Sequence, residues 1–250
     1  WQKLMRSSFL NFTNWAKSTE LALYSSVPKM AIKYGINLMF FGENPGLQLG
    51  DLKTLGNTGY DGNNLRNMNT LAGGSYKWMT EQGFDVKNIL PYVYPSSKEF
   101  EKKQLQIIYL GWFLKDWSLV NNGMYSATTG LTIRKDKVNK TGDLFGVTAL
   151  DEEWVTLNQM IKFYKYGFGR GTDYVNEEIR LKRMTRDEGI YIVSKYDDAC
   201  DEKYIKSFCN FIKITVDQFW LQVRKSLNKD LFEIDSKGKI TRKYKVGVGL

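Results

Sequence analysis

The segment Ile36-Asn37-Leu38-Met39-Phe40-Phe41 constrains the fold more than any other stretch. It is strand-length and nearly all apolar. Gly35 precedes it, and the polar turn Gly42-Glu43-Asn44-Pro45-Gly46 follows. A short apolar run bounded by turn residues reads as a buried strand. Helical spacing comes before it: Trp1, Leu4, Met5, Phe9, Phe12 and Trp15 mark a first amphipathic helix, and 20–27 continues the pattern until Pro28. Proline suits the first turn of a helix, so a further helix is expected from Pro28 to Tyr34, stopped by Gly35. Helix, glycine, apolar strand and polar glycine turn make half of an α/β unit. Ligands of open α/β sheets sit at the carboxyl ends of strands, which puts Glu43 and Asn44 at such a rim.

The stretch 46–74 is rich in Gly and Asn. It is long for a structureless connection, so it is either a functional loop or an insertion of short helices. A short helix is expected over 75–82, an extended segment over 88–94, a helix beginning at 99–103, a second strand over 106–113, and a helix over 116–129. Beyond Leu150 the pattern is helical. Asp151 suits an N-cap for a helix running to Tyr166 before Gly167. Thr185-Arg186-Asp187-Glu188 is a capping box for a helix to about 195, and Thr215-Val216-Asp217-Gln218 is another for 216–227. Asp201 suits the cap of 202–212. The expected organisation is an α/β domain over 1–150 with a Gly/Asn-rich insertion, then a mainly helical region over 151–250 with a basic tail.

Composition narrows the chemistry. The chain has 250 residues and no histidine. That removes Ser-His-Asp and Cys-His catalysis and His-ligated zinc from these residues. Proton transfer here must use Asp, Glu, Lys, Tyr or solvent. Cys200 and Cys209 form no C-x-x-C and read as buried thiols of a reduced, cytoplasmic protein. No apolar run approaches the roughly 20 residues of a spanning helix. The net charge is +9. Lys237, Lys239, Arg242, Lys243 and Lys245 stand in a terminal stretch without acids, which reads as a solvated tail. Seven more cations lie between Lys162 and Arg186, mixed with Gly and aromatics. Those aromatics have helical core spacing rather than that of a base-stacking platform, which argues against a nucleic-acid surface.

The densest constellation is Asn158-Gln159-Met160-Ile161-Lys162-Phe163-Tyr164-Lys165-Tyr166-Gly167-Phe168-Gly169-Arg170-Gly171-Thr172-Asp173. Lys162 and Lys165 are three apart on one helix face. The alternating glycines would let backbone N–H groups approach an anion, and Arg170 could fork onto a phosphate. The plain alternative is a glycine helix terminator with a solvated basic face. Gly42-Glu43-Asn44 could hold Mg²⁺ beside a triphosphate and bind a ribose or amide, or be an ordinary strand-end turn. Ala72-Gly73-Gly74-Ser75 lacks the Lys-Ser/Thr of a Walker loop and the Asp-Ser of a pyrophosphate loop.

Four stretches resemble the N-acetyl sugar amidotransferases of bacterial surface-polysaccharide and flagellar-glycan synthesis. They are Phe41-Gly42-Glu43-Asn44-Pro45, Asn69-Thr70-Leu71-Ala72-Gly73-Gly74, Tyr109-Leu110-Gly111-Trp112-Phe113 and the long motif from Asn158 to Asp173. The similarity continues through Thr185-Arg186-Asp187-Glu188 and Phe208-Cys209. The resemblance implies a pyrophosphate-loop (PP-loop) ATPase fold: part of an adenine-nucleotide α-hydrolase-like parallel sheet, followed by a mainly helical C-terminal region. It implies conversion of a sugar acetamido group to an acetamidino group. ATP with Mg²⁺ activates the amide oxygen, and ammonia from a separate glutaminase subunit attacks the carbon. The substrate would be an N-acetylated, nucleotide-linked sugar. The same resemblance implies nucleotide contacts at Gly42, Glu43 and Asn44, with Glu43 as metal ligand. It implies substrate contacts at Asn69, Gly73, Gly74, Gly169 and Thr172, and a catalytic set of Lys162, Lys165, Arg170 and Asp173.

The superfamily's Ser-Gly-Gly-x-Asp-Ser loop is not within these residues. The family carries it upstream of where Trp1 aligns, so an upstream segment is expected. Two other readings remain at this point: another PP-loop enzyme, such as one modifying tRNA, and a non-catalytic binding or partner-docking module.

Overall fold

The computed structural model describes residues 1–42, 62–68, 70–114 and 118–248. The chain divides into two compact units, Trp1–Trp117 and Ser118–Leu250. The described residues are a mixture of many helices and few strands, with one small parallel sheet.

In the first unit, α1 (Gln2–Phe12) buries Leu4, Met5, Ser8 and Phe9 and ends at Thr13 in the left-handed conformation. Helix α2 (Ala16–Tyr34) corrects the expected break, because Pro28 lies inside one continuous helix. A proline forfeits one backbone hydrogen bond in a helix interior. Here Leu21, Ser25, Pro28 and Ala31 share one buried stripe, so packing holds both halves on one axis. The Ser25 hydroxyl ties that stripe to the Pro91 carbonyl at 2.8 Å.

Strand β1 (Leu38–Phe41) follows, but it is buried on one side only: Met39 is inside, while Leu38 and Phe40 are exposed. The described part of the Gly/Asn-rich stretch forms two 3₁₀ turns, Asn63–Asn67 and Ala72–Gly74. Then come α3 (Lys77–Glu81), α4 (Val86–Ile89), a 3₁₀ turn Leu90–Tyr92 and α5 (Ser97–Lys103). Most of the extended segment expected over 88–94 is therefore helical, and only 93–94 leaves the helical turns: Asp85 caps α4 by accepting from the Lys87 N–H, and Pro91 sits in the first turn of the 3₁₀ segment. A capping box, Ser96 with Glu99, opens α5.

Strand β2 (Gln106–Tyr109) pairs parallel with β1, from Leu38 against Gln106 to Phe41 against Tyr109. The expected second strand is shorter than its apolar run, because α6 (Leu110–Leu114) starts at once. Gly62 and Asn63 pair along β2. The Gly62 N–H donates to the Ile107 carbonyl at 2.7 Å, and the Asn63 amide oxygen accepts from the Ile107 N–H at 2.8 Å.

In the second unit, α7 (Leu119–Thr128) is capped by Ser118, and α8 (Val138–Thr141) ends at Gly142. Helix α9 (Val155–Tyr166) begins four residues later than Asp151 predicts: its N-cap is Trp154, with no side-chain cap. It stops at Gly167, whose φ of 85° is the left-handed region that glycine tolerates. Helix α10 (Arg170–Arg180) follows. Helix α11 (Arg186–Tyr196) opens on the Thr185/Glu188 box, and α12 (Glu202–Ile212) on the Asp201 cap. Helix α13 (Val216–Lys225) opens on the Thr215/Gln218 box.

The basic stretch at the end keeps Lys237, Lys239, Lys243 and Lys245 exposed, as a solvated stretch would, but it is folded rather than a loose tail. It contributes an antiparallel hairpin, β3 (Phe232–Ile234) and β4 (Ile240–Arg242). Phe232 packs with Phe163 and Leu227 in a buried cluster, and Arg242 stacks over the Phe163 ring at 4.8 Å. Full burial of such a Phe contributes about 1.5–3 kcal/mol.

Candidate functional site

The long motif from α9 into α10 carries the densest polar geometry in the second unit. Helix α9 turns Leu157, Met160, Ile161 and Phe163 inward, which leaves Lys162 at the margin of the core. Its ammonium lies 2.7 Å from the Asp173 carboxylate and 4.7 Å from the Phe168 ring centroid. Both side chains of this ion pair are about four-fifths buried. Burial pushes the Lys162 pKa down, and Asp173 opposes that shift. Lys165 lies over the Tyr166 ring at 5.5 Å. Asp173 stands in the first turn of α10, where a helix N-terminus favours an anion.

The glycine turn between the helices gives two of its amides, those of Gly169 and Thr172, to an internal carboxylate. Asp197, 2 % exposed at the end of α11, fills the N-terminus of α10 with its carboxylate. It accepts from the Gly169 N–H at 2.9 Å, from the Thr172 N–H at 2.7 Å and from the Thr172 hydroxyl at 2.7 Å. The backbone follows the same logic, since a Cβ on Gly169 would stand 2.0 Å from the Asp197 carbonyl oxygen. Gly169 and Thr172, expected to touch substrate, are thus bonded to an internal carboxylate. Burial raises the Asp197 pKa, and the three donors work against that shift.

A second buried carboxylate organises the loop after α8. Asp143 accepts from the N–H groups of Phe145 and Gly146, from the Thr148 hydroxyl, and from the Tyr174 hydroxyl at 2.6 Å. Tyr174 is fully buried on α10, and desolvation together with Asp143 pushes its pKa far up. A third cluster ties α10 to α7. Arg183 forks onto Glu178, with 2.5 Å to one oxygen and 2.9 Å to the other, and reaches the Ser118 hydroxyl and the Asn121 amide oxygen. Glu177 accepts from the same Ser118 hydroxyl at 2.7 Å.

Arg170 differs from its neighbours. Among the described residues it takes part in no hydrogen bond or ion pair. It lines a small cavity with Arg134, Thr141, Asp143, Thr148, Ala149, Val155 and Thr156. Sequence reasoning singled out Lys162, Lys165, Arg170 and Asp173. It missed Asp197, Asp143 and Arg134, which lie outside the motif.

In the first unit, Gly42 closes β1, while Glu43, Asn44 and Asn69 lie outside the described residues. Gly73 has open space where a Cβ would stand, whereas a Cβ on Gly74 would meet the Tyr94 side chain at 2.7 Å. Gly74 is therefore a close-packing position. Among the described residues no group of His, Cys, Asp and Glu is placed to hold a metal ion. The carboxylates of the second unit's site are already committed to internal donors, so its donor set does not fit Mg²⁺. Cys200 and Cys209 are in no disulfide, the Cys200 thiol donates to the Asp201 carbonyl at 3.7 Å, and burial pushes the two pKa values up to about 12 and about 11. Among the described residues no helix is long and apolar enough to cross a membrane.

Residues 141–245 match the family model described as the LPS biosynthesis protein WbpG-like, C-terminal domain. The matched region contains α9 to α13, the Lys162–Asp173 pair, Asp143, Asp197 and the hairpin. No curated protein matches the chain. The likeness to a polysaccharide-biosynthesis family is therefore that of residues 141–245, less than half of the chain.

Proposed function

We propose that this protein is the synthetase subunit of an ATP-dependent amidotransferase. It would convert the N-acetyl group of a nucleotide-linked sugar to an acetamidino group, using ammonia from a glutaminase partner. The observation that carries the reading is the LPS-biosynthesis match over 141–245, which falls on the part of the chain holding the cationic motif. The residues suit the anionic half of such a substrate. Lys162 is paired with Asp173, and among the described residues the Arg170 guanidinium has no hydrogen-bond or ion-pair partner, so Arg170 is the cation left for that half. Ammonia is already a nucleophile, so this chemistry asks for positioning and charge stabilisation rather than a histidine base.

The ATP and Mg²⁺ positions assigned by resemblance, at Gly42, Glu43 and Asn44, belong to the proposal alone. The test uses the product of the complete reading frame with ATP, Mg²⁺, an ammonium salt and a panel of nucleotide-linked N-acetyl sugars. Pyrophosphate release that depends on the sugar is expected. Its absence with every sugar of the panel overturns the amidotransferase reading.

A further inference from the structure

The cavity beside Arg170 has the construction of an anion subsite. Its volume is about 10 Å³, the room of one water-sized atom. Buried Thr141, Asp143, Thr148 and Thr156 line it together with the half-buried Arg134, Ala149, Val155 and Arg170. The one acid among these residues, Asp143, accepts from four uncharged donors, so two guanidinium groups stand against one carboxylate in the lining. Asp173 is bonded to Lys162, and Asp197 to Gly169 and Thr172, while Asp136 lies near enough to Arg134 for the two charges to interact. The Arg170 guanidinium carries five donors in a fixed fork. None of its nitrogens is both buried and unpaired, so water reaches this half-buried guanidinium, and an anion from outside would replace that water.

Arg134 is held in place by a backbone shaped around it. Its N–H donates to the Gly146 carbonyl at 2.8 Å. Its guanidinium donates at 2.9 Å to the carbonyl of Ala149, a non-glycine residue at φ 48°. That conformation costs about 1–2 kcal/mol for a residue with a Cβ. Gly146 is at φ 68°, and a Cβ there would stand 2.7 Å from the Arg134 carbonyl oxygen. Strained backbone of this kind persists where the surroundings fix it, and it gathers at ligand sites.

We propose that Arg134 and Arg170 form a phosphoryl-binding subsite, in which one terminal oxygen of a phosphate group enters the cavity and the rest of the ligand stays outside. Two guanidinium groups match the charge and the forked geometry of a phosphate. The cavity admits one water-sized atom, so only a terminal oxygen of the ligand would enter it. The site extends the proposed sugar-nucleotide reading, on which it depends only for the owner of the phosphate.

The test is calorimetric titration of the full chain with inorganic phosphate at low ionic strength. Saturable binding is expected. Arg170→Ala removes no internal bond, so the variant should fold, and it should bind phosphate about tenfold more weakly or worse, the worth of one charged hydrogen bond. Arg134→Lys keeps the charge and loses the fork, and should weaken binding in the same direction. Lys237→Ala, at an exposed turn of the hairpin, should leave it unchanged. Titration with a nucleoside diphosphate and with ATP then reads which ligand carries the group, and Arg170→Ala must weaken at least one of them about tenfold. Absence of saturable phosphate binding, or equal affinity in Arg170→Ala, overturns the proposal. Turnover is not the readout, so a failed pyrophosphate assay would sink the proposed reaction and leave this subsite standing.

Discussion

Asp197 is the residue whose removal most directly tests how the glycine motif is built. In Asp197→Ala the Gly169 N–H, buried with its residue, loses its acceptor, and so do the N–H and hydroxyl of Thr172. An orphaned buried donor costs about 1–3 kcal/mol. Helix α10 has no side-chain cap of its own at Gly169, so the variant also loses the anion that serves in place of one, worth about 0.5–2 kcal/mol. Against this, the variant no longer desolvates a carboxylate, the cost that raises the Asp197 pKa. Thr172 is half-buried and can turn to water. The balance is a loss of about 2–3 kcal/mol, or roughly 6–12 °C in Tm for a unit of this size.

Chemical unfolding followed by circular dichroism reads it. A loss under about 0.5 kcal/mol, the range of ordinary surface substitutions, would refute the reasoning. A pH series gives an independent check. The native carboxyl keeps its proton to higher pH than in the unfolded chain, so the Asp197 contribution falls as pH rises from the ordinary aspartate pKa through the raised one. Asp197→Asn should remove that slope.

Three further outcomes follow from the same geometry. Tyr174→Phe deletes hydroxyl bonds to Asp143 at 2.6 Å and Thr148 at 2.8 Å, and should cost about 1–2 kcal/mol by denaturant titration. Thr185→Ala opens the capping box of α11 and should cost about 1 kcal/mol. The Thr185 hydroxyl and N–H hold the Glu188 pKa down, so their contribution is present above the ordinary glutamate pKa and fades as pH falls through the lowered value. Glu188→Gln should flatten that acid limb in the unfolding curve. Arg183→Met strips Glu178 of its fork and should cost about 3 kcal/mol, the low end for breaking a buried pair, since Arg183 is a third exposed. An unchanged unfolding midpoint in Arg183→Met would show that water can reach Glu178.

The helices of the second unit were legible because their signals are local. Thr185 with Glu188, Asp201, and Thr215 with Gln218 each close on backbone donors two or three residues away, and each does so in the structure. The same grammar stood unread at Ser96 and Glu99. Pro28 misled, because a proline's local penalty was weighed without the buried stripe that outweighs it. The β3–β4 hairpin was hidden by its charge. Lysines and arginines at 237–245 read as a solvated tail, yet Asp235 accepts from the N–H groups of Lys237 and Lys239 and so shapes a turn. Arg242 spends its charge on the Phe163 face, the Ser194 carbonyl and Asp198. Lys237, Lys239, Lys243 and Lys245 do stay exposed; what single-residue polarity could not show is that the backbone between them forms a hairpin and that Arg242 has partners within the fold.

The site was half legible for a related reason. Lys162, Arg170 and Asp173 fall within twelve residues, and a helix, a glycine turn and a second helix bring their neighbourhood together by local geometry alone. What the glycine motif does was not legible, because the deciding groups come from other parts of the chain. A glycine-rich helix start looks the same in sequence whether its amides meet a ligand phosphate or a protein carboxylate. The two differ only in whether an acid such as Asp197 is delivered there by the end of another helix. Once Asp197 takes the amides and Asp173 takes Lys162, the charge that remains for an outside anion is that of Arg170. Its companion is Arg134, which precedes the motif and is shaped by strained backbone at Ala149. The anion-binding capacity read from the motif therefore moves off the glycines and onto the two guanidinium groups, a shift that phosphate titration of Arg170→Ala and Asp197→Ala side by side would separate. Arg170→Ala should lose phosphate affinity at unchanged stability, and Asp197→Ala should lose stability while its folded fraction still binds.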